Sequence, residues 1–303
     1  MNNLGYSKPL FILPFDHRGS FVKGLIGKEE SLLTSDDRNY IISQKKIIYN
    51  AFKKAIQKKI IKDNAAILID EEFGDEIIKD ANLNGINVIL TTEKSGEQEF
   101  TFQYPNFEEH IEKYKPAFAK VLIRYNPDQE IASKKRQQKE LKRLSDYCHK
   151  SGHKFFLEPL IPATVDQLTK AGGNQDEYIK SQRPFLAARA IGELQEAGVE
   201  PDVWKLEGTT KKEGYEKIVE AAIRDGRDNV GVVILGGGKE QELVEEWIKI
   251  AAKIKGIIGF AVGRTVFWQP LMDLKEGKIN QEEAVSRIAN NFIHFYDLFI
   301  SNN

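Results

Sequence analysis

The chain of 303 residues has a single cysteine, Cys148. That excludes an intrachain disulfide framework and a cysteine-rich zinc module. It has no surplus of either charge: Lys and Arg number 44 and Asp and Glu 45, for a formal net charge of −1. A nucleic-acid binder that relies on bulk positive charge is thereby excluded. No apolar run approaches the roughly 20 residues that a membrane helix needs. The opening stretch, MNNLGYSKPLFILPFDHRG, runs from a short apolar segment straight into charge, which reads as a buried strand rather than a signal peptide. A soluble cytoplasmic protein is expected, with no membrane and no nucleic-acid partner. Histidines are few (His17, His110, His149, His153 and His294), and only His17 falls at a strand end. A zinc centre built from several histidines therefore lacks its ligands. An Asp16/Asp70/Glu72 magnesium site is the only other metal arrangement to consider, and no metal or cofactor is expected.

What the chain does have is one repeated theme: a short apolar run, a polar or glycine stop, then an amphipathic helix. The runs begin at Pro9, Ala65, Asn87, Phe118, Lys154, Asp202, Val230 and Ile257. Bounded by Gly, Pro or charge, they read as buried strands. Helix-period stretches lie between them, including Tyr40 to Lys59, Ala132 to Lys150, Gln175 to Ala197, Lys211 to Arg224 and Glu240 to Lys255. Several stop at a glycine, which supplies the left-handed cap. Strands alternating with helices imply a parallel sheet. Eight such units at this length are the count and size of a (β/α)8 TIM barrel spanning residues 1–303 as one domain. An open doubly wound sheet is the competing architecture, but its Gly-rich first turn is missing: the first strand ends in Asp16-His17-Arg18. The final stretch should break near Gly277. A last helix from Gln281 would then pack Phe292, Phe295, Tyr296 and Phe299 on the barrel.

A barrel of this kind builds its active site at the C-terminal ends of its strands. Polar residues gather there: Asp16, His17 and Arg18; Asp70, Glu71 and Glu72; Lys120 and Arg124; Glu158; Lys205 and Glu207. Side-chain alternation puts Lys120, Glu158 and Lys205 on inward faces of three consecutive strands. A single inward Lys–Glu pair is what a structural ion pair would give. Two lysines and a glutamate together suit catalysis better, because a neighbouring ammonium and partial burial both lower a lysine pKa and free its amine as a nucleophile. Gly236-Gly237-Gly238 and Gly263-Arg264 end the seventh and eighth strands, the usual place for a phosphate held by bare N–H groups and an arginine. Cys148 sits in a helix and reads as packing.

The phrases ILPFDHRGSF, ILIDEEFG, FFLEPLIP, WKLEG and FAVGRTVFWQPL resemble the 2-deoxy-5-keto-gluconate-6-phosphate aldolase domain of bacterial inositol catabolism, over essentially the whole chain. More distantly the chain is similar to the class I tagatose-1,6-bisphosphate aldolases. The resemblance implies a Schiff-base aldolase on a sugar-phosphate substrate, yielding dihydroxyacetone phosphate and malonate semialdehyde. It puts the Schiff-base lysine at Lys205, the catalytic carboxylate at Glu158 and the second lysine at Lys120. It places further acids at Asp16 and Glu72 and phosphate contacts at Gly237, Gly238, Gly263 and Arg264, with His17 and Arg18 toward the substrate. The tagatose group usually has Gln where this chain has His17, and a Ser-Ala-Gly type of loop where it has Gly236-Gly237-Gly238. Both departures favour the keto-gluconate reading. The alternatives are an aldolase on another phosphorylated ketose, such as tagatose 1,6-bisphosphate or a sulfonated sugar phosphate, and a catalytically silent sugar-phosphate-binding regulator. A homo-oligomer is admitted, with exposed aromatics near Trp268 as its interface.

Overall fold

The computed structural model describes residues 4–303. Eight short strands, each buried on both faces, pair side by side in chain order and close on themselves. They are β1 (Leu10–Pro14), β2 (Ala65–Ile69), β3 (Asn87–Thr91), β4 (Phe118–Arg124), β5 (Lys154–Leu160), β6 (Val203–Glu207), β7 (Gly231–Leu235) and β8 (Ile257–Ala261). Every pairing is parallel, including β1 with β8. The expected (β/α)8 barrel is the fold.

Helices cover its outside. Two, α1 (Gly19–Ile26) and α2 (Ser35–Lys58), follow β1; α3 (Glu71–Leu83) follows β2; α4 (Phe107–Tyr114) follows β3; α5 (Ile131–Ser151) follows β4. Three follow β5: α6 (Val165–Lys170), α7 (Gln175–Ser181) and α8 (Arg183–Glu196). Then come α9 (Lys212–Ile223), α10 (Gln241–Ala251), α11 (Arg264–Lys275) and α12 (Gln281–Ile300). The single helix expected over Gln175 to Ala197 is thus two. Pro184 sits in the first turn of the second, where its missing N–H costs nothing.

The period-two alternation separates two cores. Leu10, Ile12, Leu68, Phe118, Phe156 and Val233 point into the barrel and fill its lower part. Phe11, Leu13, Trp204 and Leu206 point outward to the helices. The last helix packs as expected: Tyr296 and Phe299 meet Phe11 at 4.9 and 5.6 Å between ring centroids, and Phe292 meets Phe260 at 6.0 Å. Trp268 is half-buried rather than an exposed aromatic, with its ring edge-on to Phe21 at 6.0 Å. A Cβ at Gly24 would lie 2.4 Å from that ring, so α1 and α11 touch through a glycine.

After β3 the chain forms a feature absent from the sequence reading. Glu93 and Phe102 pair as an antiparallel bridge, with Lys94 N–H to Thr101 O at 2.9 Å and Gln103 N–H to Thr92 O at 2.9 Å. This hairpin stands over one side of the barrel mouth.

Candidate active site

Continuing the inward alternation upward brings the next inward residues of β4, β5 and β6 to the mouth. On β4, Phe118 belongs to the inner core, so Lys120, Leu122 and Arg124 follow on the same face. On β5 and β6 the same step gives Glu158 above Phe156 and Lys205 above Val203. These side chains line a cavity of about 300 Å³ together with Asp16, His17, Arg18, Glu93 and the hairpin residues.

Its floor is a closed network of charge. Lys205 Nζ donates to Glu158 Oε2 at 2.8 Å. The same oxygen lies 3.1 Å from Lys120 Nζ. Lys120 also donates to Asp16 Oδ2 at 2.9 Å and to Glu93 Oε1 at 2.8 Å. Lys120, Glu158 and Lys205 are each at most 5% exposed. The two ammonium groups expected to face each other are therefore screened by a carboxylate between them.

Burial alone would push the Lys120 ammonium toward neutrality. The carboxylates of Asp16, Glu93 and Glu158 outweigh it and hold its pKa above the ordinary lysine value. Burial likewise disfavours the Asp16 charge, but Lys120, with smaller help from His17 and Lys205, brings that carboxyl well below the usual carboxylate range. Glu93 goes the other way. Burial raises it, Lys120 and Arg18 only partly compensate, and its Oε2 has no hydrogen-bond partner. Burial lowers His17 to about 4, with Arg264, Lys205 and Lys45 adding to the effect and Asp16 opposing it. At neutral pH its imidazole is uncharged, and its Nδ1 has no hydrogen-bond partner among the described residues.

Glu93 is not among the polar residues expected at the mouth. Its signal is the same alternation: Ile89, Thr91 and Glu93 share a face, and Ile89 is in the inner core. Arg18 reaches across to this segment, donating to the Glu93 carbonyl at 2.6 Å and to Gln103 Oε1 at 3.1 Å.

Glu72 is not brought to this site, contrary to the expectation. Asp70 caps α3 through Phe73 N–H at 2.9 Å, so the helix starts at once and Glu72 lies in its first turn. There it pairs with Arg38 at 2.7 Å and shares a hydrogen bond with Glu30, whose carboxyl burial and Glu72 push up to about 7. Asp70 is turned to Lys45, with both groups at most 1% exposed. Asp16, Asp70 and Glu72 therefore do not converge as a metal site. Among the described residues no group of three His, Cys, Asp or Glu side chains is arranged to hold a metal. Glu207 shares the inward face with Lys205 but binds Arg183 at 2.8 Å, and burial raises its pKa.

The two loops expected to hold phosphate do meet. Arg264 opens α11 and donates to the Gly237 carbonyl at 3.1 Å. Gly238 has φ +67°, and a Cβ there would come 2.5 Å from the Arg264 guanidinium. Gly263 is also fixed by contact, since a Cβ would fall 2.3 Å from the Pro14 carbonyl. A second cavity, lined by Gly238, Lys239, Arg264 and Thr265, adjoins the first at Ser20, which lines both.

Fold and site together define a parallel eight-stranded barrel with a lysine–carboxylate network at the C-terminal mouth and a glycine–arginine loop pair beside it. The chain belongs to a family described as an uncharacterized protein conserved in bacteria, DUF2090, whose model matches residues 4–302. It is 28% identical over 162 residues to tagatose 1,6-diphosphate aldolases of Listeria monocytogenes and Listeria innocua. That match takes in 52% of this chain and 46% of each relative, so it spans about half of their length. Among solved structures, Cgl0159 of Corynebacterium glutamicum superposes with a TM-score of 0.60 at 16% identity, covering 96% of this chain and 88% of that one. An archaeal fructose 1,6-bisphosphate aldolase gives a TM-score of 0.59 at 16% identity, covering 97% and 95%. A Schiff-base-forming fructose-1,6-bisphosphate aldolase gives 0.56 at 17%, covering 94% and 93%. At these identities the likeness to the solved structures is one of fold. No helix is long and apolar enough to cross a membrane among the described residues.

Proposed function

We propose that this protein is a class I aldolase that cleaves a phosphorylated keto sugar acid, 2-deoxy-5-keto-gluconate 6-phosphate, to dihydroxyacetone phosphate and malonate semialdehyde. The observation that carries the reading is the single Glu158 oxygen placed 2.8 Å from Lys205 Nζ and 3.1 Å from Lys120 Nζ at the floor of an open cavity. A nucleophilic amine needs a base beside it that takes its proton and later returns it. Glu158 stands where that exchange occurs.

Lys205 gives a proton to Glu158, and its free amine adds to the C5 ketone. Glu158 returns the proton as water leaves, and the iminium is the electron sink. A base then removes the C3 hydroxyl proton and the C3–C4 bond breaks. Malonate semialdehyde departs, and the bonding pair moves into an enamine over C4 and C5. Protonation at C4 and hydrolysis release dihydroxyacetone phosphate and regenerate Lys205. General acid–base help of this kind contributes roughly 10²–10⁴ in rate. Asp16 stays ionised and accepts from substrate hydroxyls, with Lys120 holding it in place. Neutral His17 and Arg18 line the same wall, and Arg264 with Gly237, Gly238 and Gly263 fixes the phosphate and hence the distance to the ketone.

A second reading, tagatose 1,6-bisphosphate as substrate, is favoured by the similarity to the Listeria proteins. The test of the chemistry common to both is borohydride reduction in the presence of dihydroxyacetone phosphate. A stable adduct on Lys205, located by peptide mass mapping, is the expected result. An adduct on Lys120, or none in an active enzyme, overturns the mechanism. A panel of phosphorylated substrates then decides between the two readings.

A further inference from the structure

The arginines of this chain divide into two sets. Eight of the eleven each pair with a carboxylate, as Arg38 does with Glu72, Arg136 with Glu99 and Arg183 with Glu207. Three at the mouth, Arg18, Arg124 and Arg264, have hydrogen bonds only to backbone carbonyls or an amide and no ion pair among the described residues. A guanidinium left without a counterion at a cavity wall is a place for an anion.

Arg18 is closed in by Glu93 and Gln103. Arg264 is the phosphate arginine. Arg124 is unassigned. It stands on β4, four strands from β8 in a closed ring of eight, so it lies across the mouth from the loop that carries Arg264. It lies two pleats above Lys120 on the same inward face, and both line the cavity. One of its N–H groups donates to the Glu97 carbonyl at 2.7 Å, and its own carbonyl accepts from Gln137 at 3.1 Å, which fixes its strand end to α5. The nearby hairpin acids are already engaged, Glu97 by Lys94 at 2.8 Å and Glu99 by Arg136 at 2.7 Å.

We propose that Arg124 is the specificity-determining residue that receives a carboxylate at the end of the substrate remote from the phosphate. The inference rests on the aldolase reading of this mouth and names the distal group. A carboxylate suits the pocket better than a second phosphate. One arginine matches one negative charge in a bidentate pair, and the cations beside it are taken, Lys120 by Glu93, Lys94 by Glu97 and Arg136 by Glu99, which leaves no second positive charge on that wall for a dianion among the described residues. Leu122 and Phe100 in the same lining offer an apolar surface to a methylene next to that carboxylate.

The test is calorimetric binding of two six-carbon probes of equal length, 6-phosphogluconate and glucitol 6-phosphate. They differ only in a carboxylate against a hydroxymethyl group. The full chain should prefer 6-phosphogluconate by about tenfold to a hundredfold, the usual worth of a charge-assisted pair. Arg124→Met should erase that preference, and Arg124→Lys should restore part of it. A purely structural role through the Glu97 carbonyl would weaken both probes alike and leave the ratio unchanged, which overturns the proposal. So would equal binding of the two probes by the unmodified chain, or tighter binding of fructose 1,6-bisphosphate than of 6-phosphogluconate. Borohydride trapping of dihydroxyacetone phosphate, which has no distal anion, reads the aldolase chemistry separately. A failed trap with an intact Arg124-dependent preference sinks only the aldolase reading. A successful trap without the preference sinks only the role of Arg124.

Discussion

The buried pairs Lys45–Asp70 and Lys205–Glu158 both lie near the top of the barrel, and they are built differently. Lys45 of α2 and Asp70 at the end of β2 form a closed pair, exposed by 0% and 1%. The Lys45 ammonium lies between the rings of Phe21 and Phe73, 5.6 and 5.4 Å from their centroids. The other Asp70 oxygen caps α3. Neither residue lines a cavity described above. Lys205 and Glu158 have similar burial, but their shared oxygen also serves Lys120, and all three border open space. Burial of a lysine is therefore no mark of catalysis by itself. The first pair ties a helix start to a helix flank; the second has room for a substrate carbonyl and a second proton donor within reach.

The largest expected effect separates the two pairs outright. Lys205→Met should fold but neither trap dihydroxyacetone phosphate nor cleave any sugar phosphate. Lys45→Met should trap at the same rate per folded molecule. Trapping by the Lys205 variant, measured by intact mass, would mean that the second pair is as structural as the first.

Stability should show the reverse order. Lys45→Met leaves the Asp70 charge buried without its partner, a loss of about 3–5 kcal/mol. Replacing Asp70 by Asn in the same protein keeps the cap acceptor, removes the charge and should recover most of that loss. Urea unfolding of the single and double variants checks both statements.

His17 feels both pairs, since the charges of Lys205 and Lys45 each oppose its protonation. Its folded-state pKa of about 4 is below its ordinary 6.5. The unfolded chain binds a proton near pH 6.5 that the folded chain refuses until about pH 4. The stability this group contributes is thus whole above pH 6.5 and lost as pH falls toward 4, by up to about 3 kcal/mol. His17→Gln should flatten that part of the unfolding profile; an unaltered slope would show that the imidazole is not held neutral.

The smallest effect belongs to the rim. Arg264→Ala removes one charge-assisted contact and should raise KM for a phosphorylated substrate by about tenfold to a hundredfold, with kcat changed less. An unchanged KM would take the phosphate away from this loop.

The barrel was legible because its signal is local. Apolar runs, glycine stops and period-two alternation depend on neighbours in the chain, and they placed Lys120, Glu158 and Lys205 on inward faces before any contact was known. The meeting of Arg264 with Gly237 was legible for the same reason, since loops that end neighbouring strands must lie together. Glu72 was misread because the cap at Asp70 ends the strand there and puts Glu72 in the first turn of α3.

The sequence by itself determined the fold class, the inward set of charges and the mouth at which they gather. Only the tertiary structure decided which charges are matched. Lys120 meets Asp16 across 104 residues and Glu93 across 27, and Lys45 meets Asp70 across 25 from a different layer. Alternation fixes the direction of a side chain but not what stands opposite it. That depends on strand order, helix placement and the hairpin after β3, which leave Arg124 and Arg264 on opposite sides of the mouth with no ion pair among the described residues.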